Sequence, residues 1–495
     1  MPTMQTQQTQ TPQTVLIIGA GFAGLGMAIQ LRKAGIDDFV VLEKGRTVGG
    51  CWRDNVYPGA ACDVPSHLYS FSFEPNASWS RKFAPQDEIL AYLERCADKY
   101  DLRRNIRLET EVDHAELDER AGLWRVATTS GERFEARIVV SACGQLNRPA
   151  MPKLAGMETF EGAQFHSARW HRGCDLTGKR VAVIGTGASA IQIVPAIIDR
   201  VQRLTLFQRS AAYVLPKPDR AYPAWERVLL SLVPLLQLAS RARIYASFEV
   251  RALAFHRWQW LLRLARRGFM RRLRQQVPGE ALRRKLTPDY DLGCKRVLIS
   301  NDYYPALTRS NAEVVTEAIE RVTPRGIVTA DGREHEVDVI VYCTGFKATE
   351  FLAPMRLLGR GGRDLNEAWQ GGAEAYLGIA VAGFPNLFML YGPNTNLGHN
   401  SIVYMLESQI HYVMECVHEI DAHKVRLLEP TRAVQSAFND ELQRRIANSV
   451  WSAGCTSWYQ TEGGKNTNNW PGFTFDYRRR TRQLVRDHYH RDVGA

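Results

Sequence analysis

Residues 14–43 set three glycines and one acid at spacings that suit an anionic ligand. Thr14 to Ile18 is a short apolar, β-branched run that leads into Gly19-Ala-Gly21-Phe-Ala-Gly24, and Leu25 to Lys33 follows with helical patterning up to Gly35. In a strand–turn–helix of this kind the first glycine allows the tight turn and the second lets a pyrophosphate approach the backbone. The third lets helix pack on strand, while the helix N-terminus faces the phosphates. A further strand, Phe39 to Leu42, ends in Glu43, nineteen residues past Gly24, where a carboxylate can accept hydrogen bonds from a ribose diol. A bare glycine triplet is weak, but strand, helix and acid together point to an adenine dinucleotide held by Gly19, Gly21, Gly24 and Glu43.

The pattern recurs. Arg180 to Ile184 runs into Gly185-Thr-Gly187-Ala-Ser189-Ala190 and an apolar helix toward Ile198, so Gly185, Gly187 and Ser189 form a second cradle. After the next strand, Leu204 to Phe207, the position nineteen past Ala190 is Arg209, where the first cradle has its acid. A cation there suits the 2′-phosphate of NADP and disfavours NAD.

These motifs call for particular elements. Two nested cradles, the second inserted into the first, imply an α/β chain with two nested Rossmann-like dinucleotide-binding domains: a split FAD domain and an NADP domain between its halves, with a helical insertion. Val139 to Gly144 and Val339 to Gly345 each end a strand in small residues and a glycine, and read as strand ends near the domain crossings. The expected division is a flexible lead-in over 1–13, the FAD-binding domain in 14–165 and 346–495, and the NADP-binding domain in 166–220 and 290–345. The helical insertion occupies 221–289.

The bulk composition bounds the rest. The 495 residues are 45% hydrophobic and 23% charged, which is ordinary globular usage. Nine cysteines lie without a C-x-x-C pair or metal-ligand spacing, which argues against a disulfide framework and against a metal site and fits a reducing cytoplasm. The longest apolar run, Val228 to Ala239, is interrupted by Ser231, Pro234 and Gln237 and is too short to cross a bilayer. The net charge is +11, and Arg241 to Lys285 alone holds thirteen Lys or Arg against two acids. A solvated basic face on a helical insertion is the plainer reading of that stretch, a membrane-surface face the bolder one; salt-sensitive surface binding is the most expected of it. No nucleic-acid partner is expected, and the oligomeric state stays open.

Three classes of two-nucleotide protein remain: a flavin disulfide reductase, a flavin monooxygenase and a nucleotide sensor. The reductase needs a close redox pair, and Cys51 and Cys62 are too far apart in sequence for it. Gly49-Gly50-Cys51-Trp52, then Tyr57-Pro58-Gly59 and Asp63, resembles the extended motif of Baeyer–Villiger monooxygenases. Phe160-x-Gly162-x-x-x-His166-x-x-x-Trp170 resembles their second motif, departing at its last position, where His171 stands for proline or aspartate. Gly293-Cys-Lys295-Arg296, Tyr391-Gly-Pro-Asn394 and the Trp458 segment resemble further parts of that family.

The resemblance implies FAD and NADPH as cofactors, O2 as co-substrate and a hydrophobic ketone as substrate. It implies that a C4a-peroxyflavin inserts oxygen next to the carbonyl, giving an ester or lactone. Arg296 becomes the catalytic cation and Asp63 its charge-balancing partner. Trp52 packs near the flavin, Lys295 joins Arg209 at the 2′-phosphate, Trp458 meets NADP from a loop, and Asn394 belongs to the segment closing over FAD. Lys295 and Arg296, as neighbours on a strand, would point to different ligands. His166 sits in a connector, where a hinge or hydrogen-bonding role is expected rather than proton transfer. Oxygenation of nitrogen or sulfur, as in the related flavin-containing monooxygenases, is the alternative.

Overall fold

The structure, a computed structural model, describes residues 12–256, 258–452, 454–455 and 457–493. The expected lead-in lies outside the described residues as far as residue 11, and Gln13 already opens the first strand.

Two sheets organise the chain. The first runs in the order Arg356–Leu358, Val112–Asp118, Leu123–Thr128, Arg133–Ser141, Gln13–Ile18, Phe39–Leu42 and Ile106–Arg107, and Leu387–Met389 also pairs with Arg133–Ser141. Its centre is parallel, with Ile18 beside both Leu42 and Ser141. The central strands are buried along their whole apolar length, as a sheet covered on both faces requires. The helix Phe22–Lys33 covers one face and is itself buried from Phe22 to Leu31 apart from Gln30, because the long helix Ile402–Ala422 packs outside it.

The second sheet is fully parallel, in the order Ala312–Val315, Arg203–Phe207, Arg180–Ile184, Val339–Tyr342 and Ala163–His166. One expected boundary shifts here. Ala163–His166 had been allotted largely to the first half of the FAD domain, yet it pairs with Val339–Tyr342 of the second sheet. The crossing falls nearer residue 150, where the outgoing and returning segments run side by side: Ala150 N–H donates to Gly345 O at 2.9 Å, and Lys347 N–H to Arg148 O at 3.0 Å. Sequence patterning missed this because Ala163–His166 is a four-residue edge strand, too short to show which sheet it joins.

The described part of 224–285 is mainly helical, from Ala224–Leu232 and Pro234–Glu249 through Arg251–His256 and Trp260–Gln276 to Glu280–Lys285. Among the described residues no single helix is long and apolar enough to cross a membrane, although Ala224–Leu232 and the segment Pro234–Phe255, bent by 105° at their break, pass that test together.

Candidate active site

Both cradles use the same local device. Gly19 N–H donates to Leu42 O at 2.8 Å and Ala142 N–H to Ile18 O at 2.8 Å, so the chain leaves three adjacent strand ends at one point. In the second sheet Gly185 N–H donates to Phe207 O at 3.0 Å and Cys343 N–H to Ile184 O at 2.8 Å. A Cβ on Gly24 would run into the backbone carbonyl of Gly19, whereas the matching position of the second cradle holds Ala190. The first helix therefore sits closer to its turn than the second. Gly21 faces Gly50 across the first cradle, a Cβ on it coming 3.6 Å from Gly50 Cα, so the doubled glycine at 49–50 keeps the second side of the cradle bare. A Cβ on Gly187 would meet no described atom within 4 Å beyond its own neighbours. Ser189 stands at the start of the helix Ala190–Ile197.

Glu43 is buried and well anchored. It accepts from Ala20 N–H at 2.8 Å, from Gly45 N–H at 2.7 Å and from Arg53 Nη1 at 2.7 Å. Arg53 was not singled out from sequence, where only its place three residues after Gly50 marked it. Trp52 Nε1 donates to the Tyr69 hydroxyl at 3.1 Å, and the two rings meet edge to face at 5.6 Å.

Asp63 and Arg296 come together from opposite parts of the chain. The Tyr57-Pro58-Gly59 turn is clasped to the helix Ala190–Ile197: Tyr57 Oη donates to Gln192 Oε1 at 2.9 Å, and Gln192 Nε2 returns a bond to Ala61 O at 2.9 Å. This clasp fixes the loop that carries Asp63 against the second nucleotide-binding half. Arg296 leaves a turn in which Cys294 N–H donates to Asp291 O, just before the strand Leu298–Ile299. Its Nη2 donates to Asp63 Oδ2 at 2.5 Å, with each side chain about a third exposed, at 32% and 33%. Burial pushes the Asp63 carboxyl up, but the charge and hydrogen bond of Arg296 outweigh it and hold the group below its ordinary value. Asp63 in turn holds the Arg296 guanidinium above its ordinary value. Tyr391 and Tyr459 lie within electrostatic reach of the guanidinium, and burial pushes the Tyr459 phenol up to about 12. Tyr391 heads the Tyr391-Gly-Pro-Asn394 segment, but Tyr459 was not marked by sequence spacing, and Lys217, within reach of Asp63, gave no signal either.

Lys295 and Arg296 do point to different partners, but not from a strand. They sit in the bend ahead of it, where backbone rotation rather than alternation separates them. Lys295 Nζ donates to Ser210 Oγ at 3.2 Å and lies 4.5 Å over the Tyr290 ring. Burial and then the neighbouring Arg209 charge push the Lys295 ammonium down. Arg209 is exposed at the end of the strand Arg203–Phe207. Two cations held this close form a site that an anion would stabilise.

Trp458 is 36% exposed and stacks obliquely on Tyr459, with ring centroids 4.5 Å apart. The absence of a disulfide expected from the cysteine spacing does not hold: Cys294 and Cys455 are joined, with Cα atoms 6.3 Å apart and a sequence separation of 161. Sequence spacing is blind to such a long-range pair, which ties the segment of Arg296 to the loop of Trp458. Asn394 is buried, and its Nδ2 donates to Asn466 O at 2.9 Å and Asn469 O at 3.2 Å. Its amide thus fastens the following loop rather than opening on a cavity. His166 Nδ1 accepts from Ala168 N–H at 3.1 Å, and its ring meets Phe346 at the domain crossing.

Residues 16–223 match the family model described as pyridine nucleotide-disulphide oxidoreductase. Over 99% of its length the chain is 49% identical to a Baeyer–Villiger monooxygenase of Pseudomonas aeruginosa, 93% of which it covers. The chain belongs to the Baeyer–Villiger monooxygenase family. A second relative of that name, from Streptomyces coelicolor, is 46% identical over 97% of this chain and 92% of its own length. The solved structure of an oxidized steroid monooxygenase bound to NADP matches with a TM-score of 0.89 at 33% identity, covering 98% of this chain and 100% of that one. Membership separates this Baeyer–Villiger monooxygenase from the disulfide reductases that the family model also describes, and Cys51 and Cys62 are free thiols.

Proposed function

We propose that this Baeyer–Villiger monooxygenase takes electrons from NADPH through FAD and inserts one atom of O2 beside the carbonyl of a hydrophobic ketone, releasing an ester or lactone. The Arg296–Asp63 ion pair, joining the two nucleotide-binding halves, is the observation that carries the reading.

Each cradle fits its cofactor on its own geometry. Gly19, Gly21 and Gly24 would hold the FAD pyrophosphate, Glu43 its ribose, and Trp52 would pack beside the flavin. Gly185, Gly187 and Ser189 would hold the NADPH pyrophosphate, with the 2′-phosphate between Arg209 and Lys295 and Trp458 covering the nucleotide from its loop. FAD when bound supplies hydride acceptance and O2 activation.

The chain's own residues supply the electrostatics. Arg296 is a permanently charged donor whose orientation Asp63 fixes, and it stabilises the negative charge that develops on oxygen when the ketone carbon is attacked. The pair carries no net charge, but the guanidinium stays a directional donor, because Asp63 Oδ2 engages only Nη2 and leaves the other N–H groups to aim elsewhere. Tyr459 stays protonated and serves as a neutral donor beside it, whereas the Tyr391 O–H is taken up by Asn396 Oδ1 at 2.8 Å. Asn394 acts at one remove, by holding the 466–469 loop. A cytoplasmic location rests on the use of NADPH, an intracellular reductant, since the Cys294–Cys455 disulfide removes the cysteine argument for a reducing compartment.

The test is a product profile with NADPH and isotopically labelled O2 against linear, cyclic and aryl ketones and a thioether. Esters or lactones bearing one labelled oxygen are expected. Sulfoxide as the sole oxygenated product would overturn the assignment.

A further inference from the structure

The hairpin made by the helices Ala224–Leu232 and Pro234–Glu249 turns its apolar side to solvent. Trp225 is 68% exposed, Leu232 75%, Leu235 71% and Leu238 61%. Every residue from 231 to 236 is exposed, so the apolar surface is a protruding tip and not a groove. Exposed apolar patches of this kind mark contact sites.

The second helix is inside out. Its polar side chains point inward: Arg241 Nη1 donates to His67 O at 3.0 Å and Ser70 O at 2.8 Å, and Glu249 accepts from Asn400 Nδ2 at 2.6 Å and Thr474 Oγ1 at 2.8 Å. Its outward stripe runs through Leu235, Leu238, Ala242, Ala246 and on to Val250, and the only charge on it is Arg243. No acid occurs between Arg227 and Phe248.

Beside this stripe lies a group of cations. Arg243 and Arg251 are exposed, and with Arg220 they act on Lys82, whose ammonium is pushed down by burial first and then by these three charges. The acids nearby are committed: Glu226 accepts from Arg220 at 2.6 Å, and Asp219 from Arg81 at 2.9 Å.

We propose that the 224–250 hairpin docks on an anionic lipid bilayer, its apolar tip and the outward stripe from Leu235 to Val250 lying in the interface and Lys82, Arg243 and Arg251 meeting the headgroups. Ala224–Leu232 and the segment Pro234–Phe255 meet at 105°, and neither alone is long and apolar enough for a span, which needs about 20 apolar residues in line, so the hairpin lies in an interface. A contact between two copies is disfavoured, because a two-fold interface would bring both sets of basic groups into one seam, where the stretch from 228 to 247 offers no acid to pair with them. An anionic bilayer complements both the apolar tip and the positive charge.

The full-length holoprotein is mixed with vesicles of phosphatidylcholine, with or without phosphatidylglycerol, and binding is read by co-sedimentation. Binding to the anionic vesicles is expected, weakening as salt rises. The double variant Leu232→Asp, Leu235→Asp should lose roughly tenfold or more of that binding while keeping its thermal midpoint and its NADPH turnover, because both leucines are already solvated. Arg243→Glu should weaken binding to anionic vesicles only. Absence of vesicle binding by the wild type, or unchanged binding by the double variant, overturns the proposal. So does a concentration-dependent dimer that the double variant abolishes without any vesicle binding, which would make this face a contact between copies.

Discussion

Arg296 Nη2 lies 2.5 Å from Asp63 Oδ2, and the two residues are 233 positions apart in sequence. Asp63 is held from one side by the clasp between Tyr57 and Gln192, and Arg296 from the other by the segment that the Cys294–Cys455 disulfide anchors. The pair is therefore positioned by both nucleotide-binding halves, and its loss should separate electron uptake from oxygen transfer.

Arg296→Ala tests this. The variant should still bind FAD, because Gly19, Gly21, Gly24 and Glu43 lie in the other cradle, and it should still oxidise NADPH, though more slowly. Ester formation should fall by about a hundredfold to a thousandfold, the 3–4 kcal/mol expected of one oriented charge at a developing oxyanion. NADPH consumed should appear as hydrogen peroxide, measured against ester in the same reaction. Coupled ester formation at the wild-type rate would remove Arg296 from the chemistry.

Arg209 and Lys295 make coenzyme choice a charge question. Arg209→Glu places a carboxylate beside the Lys295 ammonium and opposite the expected 2′-phosphate. The kcat/KM for NADPH should drop by about tenfold to a hundredfold, one charge-assisted contact being worth roughly 1.5–3 kcal/mol, while the value for NADH stays level or rises. Equal losses for both coenzymes would show that Arg209 supports the fold of the cradle rather than the phosphate.

The sequence made the cradles legible because their residues are local: Gly19 to Glu43 and Gly185 to Arg209 each lie within one strand–helix–strand unit, where spacing dictates position. The strands Phe39–Leu42 and Arg180–Ile184 appear with the expected limits for the same reason. What spacing did not carry are relations set by tertiary packing. Tyr459 beside Arg296, Arg53 against Glu43 and the link between Cys294 and Cys455 join segments with no common period. The helical insertion was misleading in another way. Its sequence does not mark which side faces the protein, and only the structure shows that Leu232, Leu235 and Leu238 face outward while Gln237, Arg241 and Glu249 face in.

The two cradles differ in how much room their glycines leave, and paired substitutions should expose it. In Gly24→Ala the new methyl collides with the Gly19 carbonyl, so the helix Phe22–Lys33 must move off its turn. Loss of bound flavin, read as the flavin-to-protein absorbance ratio, is expected together with a lower thermal midpoint. In Gly187→Ala the methyl meets no described protein atom, so the fold and flavin content should persist. The KM for NADPH should rise, because the space above Gly187 is where a pyrophosphate would lie. An unchanged KM would move the dinucleotide away from that turn.

His67 gives the protein a stability that depends on pH. The ring is 3% exposed, stacks on Tyr222 at 5.0 Å, and holds Nδ1 at 2.9 Å from Ser240 Oγ on the hairpin. Burial lowers its pKa from 6.5 to about 4; Glu226 opposes the shift, while Arg220 and Arg241 add to it. The unfolded chain takes up this proton near 6.5 and the folded chain only near 4, so between those values the unfolded state binds more protons. Stability must then fall as pH drops through that window, by up to about 1.4 kcal/mol per unit, or roughly 3 kcal/mol in all. Above 6.5 the residue contributes no slope. Urea midpoints measured from neutral pH down to 4 should show this loss in the wild type, and His67→Gln should remove its share, leaving a flatter profile. Because Ser240 belongs to the outward-facing hairpin, amide exchange there should quicken first as the ring protonates. Parallel profiles for wild type and variant would place the acid sensitivity elsewhere in the chain.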